Sequence, residues 1–461
     1  MLPAPLETDY LVVGAGAAAL AFVDVLLAES DARVVLADRR DGPGGHWRDA
    51  YPFVRLHLPT AWYGVPSTPI AAADDPTPLD RGATGAEVLA YFERLLHERL
   101  LPTGRVTWLP GHAHARAADG THRLTGPDGV ARTVRARRVV DATHARTEIP
   151  AARPPRYAVA PGVACVAPNA LPARADAHDR FTVVGGGKTG MDACLWLLER
   201  GTPADRIRWV VPRDPWLHDR DNFRAGVAHL ADTGARLAAQ LDAAAAATSA
   251  RDLFARLEAA GLALRLDPAV EPTTWRCAIV SRAEAARLRE VHDVVRLGRL
   301  RAVEPTRLVL DGGTVPAAPD TLYVDCSAAA LQPPPRLPVF DGDAVHLLMV
   351  SWCQPVFSAS VVGAVEALGG DDAERNALCA PVASPEVPDD VVPMWAASFA
   401  NGARWARHPR VGPWLRRCRT YSSSVLAMGA AAGDPRLGAL RDAAARIGPA
   451  TENLRRLLAA R

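Results

Sequence analysis

Apolar residues along the chain come in short runs broken by glycine. Tyr10 to Val13 is a run of strand length that stops at Gly14. Small residues follow, and then Leu20, Val23 and Leu27 recur at helical spacing. Arg33 to Ala37 is a second apolar-rich run, and it ends on Asp38. Strand, turn, helix and strand in that order predict the start of a doubly wound α/β sheet. From Asp41 to about Pro69 there is no clean period, and loops this long usually have a function. Val88, Phe92, Leu95 and Leu96 share a face, which predicts a helix over about 85–100. Residues 105–140 read as short strands around a Pro127-Asp128-Gly129 turn, closing on Val139-Val140-Asp141-Ala142-Thr143.

After a Pro- and Ala-rich connector over 150–178, the opening pattern returns. Phe181 to Val184 is a strand, Gly185 to Gly190 is glycine-rich, and Met191, Cys194, Leu195 and Leu198 line one helical face. Ile207 to Val211 is the next strand, and 223–260 is Ala-rich and mainly helical. Arg307–Leu310, an Asp311-Gly312-Gly313 turn and Thr321–Asp325 repeat the earlier hairpin-then-strand ending. One plan thus occurs twice, which predicts two Rossmann-like dinucleotide-binding units, the second inserted in the first. The expected spans are 1–175 for the first unit, 176–318 for the second, 319–370 for a return segment and 371–461 for a helical tail. Trp395, Trp405 and Trp414 in that tail read as packing residues.

Composition narrows the function classes. Hydrophobic residues are 49% and charged residues 23% of 461, an ordinary globular balance. The net charge is +2 with no polybasic run, so a nucleic-acid partner has no electrostatic support. The run Leu11 to Leu27 is interrupted by Asp24, too broken to span a bilayer. Glu7 and Asp9 without a nearby base argue against a secretory signal. The seven cysteines are scattered and never form C-x-x-C, which disfavours a disulfide framework, a zinc cluster and a dithiol redox centre. The expected compartment is the cytoplasm. His112 and His114 have no acid or cysteine to complete a cluster, so no metal site is expected.

Gly14-Ala15-Gly16-Ala17-Ala18-Ala19 is a G-x-G-x-x-A. Gly14 permits the tight turn, Gly16 lets the backbone approach a pyrophosphate, and Ala19 lets helix and strand pack closely. Asp38 is the acid expected about 20 residues on, where it can accept ribose hydroxyls. Taken alone, the loop could be a small-residue packing site; with strand, helix and acid in register it reads as a nucleotide site. Gly185-Gly186-Gly187-Lys188-Thr189-Gly190 is a full G-x-G-x-x-G. Its next strand ends in Val211-Pro212-Arg213 with no acid. Arg213 is either a 2′-phosphate ligand or a solvated surface base, and Lys188 adds charge beside the phosphates, which points to NADPH over NADH. Asp192 is expected to face solvent or the helix N-terminus.

Between the loops lies Gly44-Gly45-His46-Trp47-Arg48-Asp49-Ala50-Tyr51-Pro52-Phe53-Val54-Arg55-Leu56-His57. G-G-x-W followed by Y-P-x-x-R resembles class B flavoprotein monooxygenases, the flavin-containing and Baeyer–Villiger enzymes. The resemblance covers about residues 8–365. It implies FAD at the first loop, held by Gly14, Gly16, Ala19, Asp38, Arg39, Gly45, His46 and Trp47. It implies NADPH at the second, held by Gly185, Gly187, Lys188, Thr189, Gly190 and Arg213. Asp141-Ala142-Thr143-His144 is similar to the family's Ala-Thr-Gly strand end, with His144 for the glycine, and adds Ala142 and Thr143. Gln354-Pro355-Val356-Phe357-Ser358 precedes a helical run over Ala359–Leu368, with Ser358 a plausible N-cap. In flavoproteins of this plan such a helix points its N-terminus at the flavin, which adds Gln354 and Ser358; an ordinary capped helix is the alternative. The chain departs from the family at His57, where Baeyer–Villiger enzymes commonly have Asp, and it lacks their F-x-G-x-x-x-H-x-x-x-[WY] fingerprint.

The implied activity is NADPH reduction of FAD, formation of a flavin C4a-(hydro)peroxide with O2, and oxygenation of a small-molecule substrate. Arg55 and His57 are the catalytic candidates, Arg55 for an anion and His57 for a proton near neutral pH. The alternative makes both structural, with Arg55 paired to an acid such as Asp49. Two other readings stay open: an NADPH-dependent flavin reductase or oxidase serving a quinone, a partner protein or O2, and a non-catalytic FAD-binding protein. Neither the substrate nor the oligomeric state is legible.

Overall fold

The computed structural model describes residues 4–71, 81–145, 147–328 and 336–460. The beginning of the first expected span and the 329–335 part of the return span lie outside the described residues.

The first unit runs β1 (Leu6–Val13), α1 (Ala17–Glu29), β2 (Val34–Ala37), α2 (Gly85–Arg94), β3 (Val106–Leu109) and β4 (Ala131–Asp141). Its strands lie parallel in the order β4-β1-β2-β3. All four residues of β2 are buried, as a strand covered on both faces requires. Thr84 caps α2 in a reciprocal box with Glu87, and the helix runs on as a π turn over Leu95–Leu100.

The second unit contains β5 (Cys165–Val166), β6 (Arg180–Val184), α3 (Lys188–Glu199), β7 (Ile207–Val210), β8 (Pro215–Asp219), α4 (Leu230–Ala246), α5 (Ala250–Ala259), β9 (Thr274–Val280), β10 (Asp293–Val295) and β11 (Thr321–Asp325). Five of these strands form a parallel sheet in the order β5-β11-β6-β7-β10. β8 and β9 pair with each other in a separate small sheet. Two expected boundaries shift. Cys165–Val166, inside the expected first span, joins the second sheet, and so does Thr321–Asp325, inside the expected return span. A two-residue edge strand has no period to read, and sheet membership depends on partners far away in sequence.

β12 (Phe340–Asp341) and β13 (Ala344–His346) then return to the first sheet. β13 runs parallel to β4 with His346 opposite Asp141. α6 (Pro355–Leu368) packs on α1, and Gly363 allows the approach: a Cβ there would sit 3.0 Å from the Phe22 carbonyl oxygen. The second unit is therefore inserted between β4 and β12 of the first. Buried Glu366 of α6 accepts from the Tyr10 hydroxyl at 2.7 Å and from Arg375 at 2.8 Å, tying this helix to the sheet.

The tail forms α7 (Val391–Arg407), α8 (Ile447–Ala459) and shorter helices. It has no core of its own. Trp395 joins Trp216, Phe254 and Trp275 of the second unit, whereas Trp405 and Trp414 are buried in the core of the first. Among the described residues, no helix is long and apolar enough to cross a membrane.

Candidate functional site

Both glycine loops sit at the carboxyl ends of parallel strands, where open α/β sheets bind ligands. Gly14 has φ +99° and Gly185 φ +128°, a left-handed backbone that a β-carbon disfavours. α1 begins after Gly16 and α3 after Gly187. Neither cap has a side-chain hydrogen bond, and neither first turn contains an acid. Free N–H groups and the positive end of each helix are what a pyrophosphate needs. A Cβ on Gly187 would meet nothing within 4 Å, and one on Gly16 would meet only the Gly45 Cα at 3.8 Å. Gly190 does another job: a Cβ there would lie 2.0 Å from the Gly185 carbonyl oxygen, so it lets α3 pack on the turn. Ala19 is fully buried in the same role on α1. These loops fit the phosphates of two dinucleotides.

Asp38 is buried and faces its loop. One carboxylate oxygen accepts from the Ala15 N–H at 2.7 Å and the other from the Arg40 N–H at 2.8 Å. A carboxylate has about four acceptor positions, which leaves capacity for ribose hydroxyls. The Gly44–Gly45 turn lies against the same loop: Gly44 N–H donates to the Ala15 carbonyl at 2.9 Å, and a Cβ on Gly45 would approach the Gly16 Cα to 3.1 Å. His46 stacks on Trp47 at 5.6 Å. Burial and the nearby Arg40 push the His46 pKa down to about 4, so this imidazole is neutral. Arg39 is exposed at the loop's edge. Ala142 closes the turn from below, its carbonyl facing Gly14, and Thr143 donates its N–H and hydroxyl to Asp141.

Several expectations need correction. Arg55 is exposed; it donates to the Gly82 carbonyl at 3.3 Å and bridges backbone to backbone with Thr84. It does not meet the glycine loops. Its expected structural partner is elsewhere as well, since Asp49 is ion-paired with Arg40. Ser358 is not an N-cap: α6 starts at Pro355 with Gln354 as its cap. The fully buried Ser358 hydroxyl accepts from the N–H groups of Val350 and Ser351, so it braces the loop before the helix. Asp192 does not face solvent. It accepts from the Tyr51 hydroxyl at 2.6 Å and pairs with Lys188 one turn back on α3. Lys188 is therefore directed along its own helix.

That contact reveals what the aromatic loop does. Tyr51 and Phe53 of the first unit lie along α3 of the second, with Phe53 stacked on Trp196 at 5.5 Å. His57 follows, near enough to Lys188 and Arg220 to feel the charge of each, and Arg220 donates to its carbonyl at 2.9 Å. Burial first, and then those two cations, push its pKa down to about 3. His57 is thus a neutral imidazole at neutral pH, in place of the titrating group expected from its free pKa.

Arg213 is about one-third exposed and meets Glu386 at 3.1 Å. Arg276 meets the same carboxylate at 2.8 Å. A second arginine and a competing acid at this position had no signal in the sequence, because 213, 276 and 386 meet only through the fold. The same holds for Asp141, His144 and His346, whose ligand atoms lie within 4.8 Å of one another. His144 replaces the glycine of Ala-Thr-Gly and is 3.0 Å from His346, a residue that strand pairing brings alongside. Such a trio has the donor set to hold a divalent ion or to relay a proton through hydrogen bonds. The expectation of no metal site, drawn from His112 and His114, does not cover it; His114 itself pairs with His122 at 2.9 Å. The cysteine expectation also fails at one pair, Cys277 and Cys353, which are disulfide-bonded.

A family model for the NAD(P)-binding Rossmann-like domain matches residues 12–68, the segment from β1 through the Gly44–His57 loop. The chain is 47% identical over 420 residues to "Uncharacterized protein Rv2000" of Mycobacterium tuberculosis and to "Uncharacterized protein Mb2023" of Mycobacterium bovis, covering 90% of this chain and 77% of theirs. The chain belongs to the family of these mycobacterial proteins. Among solved structures, it is similar to a flavin-containing monooxygenase from Stenotrophomonas maltophilia (17% identity, TM-score 0.44, 74% of this chain and 84% of that one). It is also similar to a steroid monooxygenase bound to NADP (15% identity, TM-score 0.48, 97% and 98%).

Proposed function

We propose that the chain is an FAD- and NADPH-dependent monooxygenase acting with O2 on a small-molecule substrate. The observation that supports this best is the pair of uncapped helix N-termini, each behind a positive-φ glycine and each on its own parallel sheet. Gly14, Gly16, Asp38, Gly45, Trp47 and the α6 N-terminus at Gln354 would hold FAD. Gly185, Gly187, Thr189 and Arg213 would hold NADPH. The flavin, when bound, supplies hydride acceptance and the reaction with O2. The protein's share is position and exclusion of water. Tyr51 and Phe53 fasten the first unit to α3, so the two dinucleotide sites keep a fixed separation. His57 lies at that junction as a neutral hydrogen-bonding imidazole, able to orient a group without adding charge.

A reductase that passes electrons elsewhere uses the same two sites, so kinetics must separate the two. Protein reduced anaerobically with NADPH is mixed rapidly with O2. A monooxygenase consumes O2 well before the oxidised-flavin spectrum returns, and an added substrate shortens the delay. Return in one step with O2 consumption, releasing H2O2 for each NADPH, supports the reductase or oxidase.

A further inference from the structure

The disulfide joins parts of the chain that the two-site reading does not use. Cys277 lies in β9 of the second unit, and Cys353 lies in the segment that leads into α6 of the first. Their Cα atoms are 6.5 Å apart, within the range of a disulfide. Local structure is bent to bring them together. The pairing of β8 with β9 runs from Trp216–Trp275 to His218–Ile279, so three residues of β9 oppose Leu217 alone. Cys277 is the middle one. Bulges of this kind re-aim a side chain and recur beside active sites. Cys277 has φ +54° and Cys353 φ +46°. Among the described residues only Asp320 is another non-glycine with positive φ. Cysteine gains nothing from a left-handed backbone, and outliers of this sort cluster at functional sites.

The position is the second observation. Cys353 immediately precedes Gln354, the cap of α6. Both are only partly buried, as is Cys277. Trp352 and His218, 6.2 Å apart, stand beside the pair. Of the five other cysteines, Cys194, Cys326, Cys379 and Cys418 are buried, and none is disulfide-bonded. The half-exposed pair is therefore the one thiol couple open to exchange.

We propose that Cys277–Cys353 is a redox-active disulfide reduced by NADPH through the flavin site, giving the protein a second two-electron acceptor. The inference rests on the flavin reading above. NADPH gives a hydride, solvent gives one proton, the S–S bond breaks, and two thiols and NADP+ result. A small external disulfide is the class of oxidant that restores the bond by thiol–disulfide exchange, leaving as two thiols. The chain then catalyses disulfide reduction in addition to oxygenation.

The test is an anaerobic NADPH titration of the FAD-loaded full chain, with thiols counted after acid quench and denaturation. Wild type should take up about two NADPH per flavin before bleaching is complete, since each couple accepts two electrons. Its titratable thiols should rise from five to seven. Cys277→Ser and Cys353→Ser should take up about one NADPH per flavin, with the count fixed at the six cysteines each variant retains. Seven thiols in air-oxidised wild type would overturn the proposal. So would a flavin that bleaches with one equivalent while thiols stay at five. Protein that retains no flavin overturns the flavin reading and this proposal together. Treatment with dithiothreitol, raising five thiols to seven, identifies that case as the loss of the electron donor and not of the disulfide.

Discussion

Gly14–Ala19 and Gly185–Gly190 share one plan and differ in their surroundings. The first loop is enclosed. Asp38 is tied to its backbone from one side, and the Gly44–Gly45 turn lies against it from another. The second loop is open at one point: a side chain at Gly187 would meet nothing, although those at Gly185 and Gly186 would meet Cys326 and Val211, and the arginine at the end of the next strand is shared with an acid from the tail. An enclosed phosphate site releases its ligand only when the covering turn moves. An open one, with its charged partner already balanced, lets ligand come and go. On the proposed reading, this is the contrast between a flavin that stays through many turnovers and a nicotinamide that leaves after each. On that reading one G-x-G turn would serve retention in one unit and exchange in the other.

The largest effect should come from substituting Gly14, with Gly187 of the other loop as its control. Gly14→Val places a β-branched side chain at φ +99°, at a cost of about 1–3 kcal/mol in backbone strain alone. The variant should purify without flavin and melt at a lower temperature. Gly187→Ala is different, because Gly187 has φ −84° and open space around it. It should fold and keep its flavin, while the methyl group keeps the pyrophosphate from the backbone. The KM for NADPH should rise about tenfold or more, the equivalent of about 1.4 kcal/mol. Loss of flavin from Gly187→Ala would break the comparison.

The next effect concerns charge at the open site. Arg213→Ala should raise the KM for NADPH by roughly 10- to 150-fold, from the loss of a charge-assisted contact of about 1.5–3 kcal/mol. NADH should be little affected. Glu386 holds both Arg213 and Arg276, so Glu386→Gln should act in the opposite direction and lower the KM for NADPH by about two- to fivefold, the scale of a partly exposed ion pair. Equal responses of the two cofactors would remove Arg213 from the 2′-phosphate site.

What was legible in the sequence follows the same division. The repeat of strand, glycine loop and helix was readable because each element imposes a local period, and the inserted topology follows from the repeat. Asp38 was readable because its distance from the loop is fixed by one helix and one strand. What could not be read were the meetings of distant residues: Tyr51 with Asp192, Arg276 and Glu386 with Arg213, and Cys277 with Cys353. Arg55 was misplaced for a related reason. Proximity in sequence to Trp47 and Tyr51 says nothing about which way a loop residue faces, and residue 55 pairs outward with Thr84.

The smallest effect is the one that tests His57. In the folded chain its pKa lies at about 3, lowered by burial and by Lys188 and Arg220, against about 6.5 when unfolded. Between those values the unfolded chain binds a proton that the folded chain does not, so stability falls as pH drops through 6.5 and the loss levels off below about 3. His46, lowered to about 4, contributes the same sign from the enclosed loop. His57→Gln removes one of these terms and keeps a hydrogen-bonding side chain. Its melting temperature should fall less steeply than that of wild type between pH 7.5 and 5.5, by roughly 1–2 °C for about 1.4 kcal/mol in a chain of this size. The pH dependence of NADPH oxidation should keep its shape, because a neutral imidazole has no proton to lose in that range. If instead the variant loses a kinetic limb near pH 6.5, His57 titrates in the folded enzyme, and the junction between the two units is wetter than the burial of His57 implies.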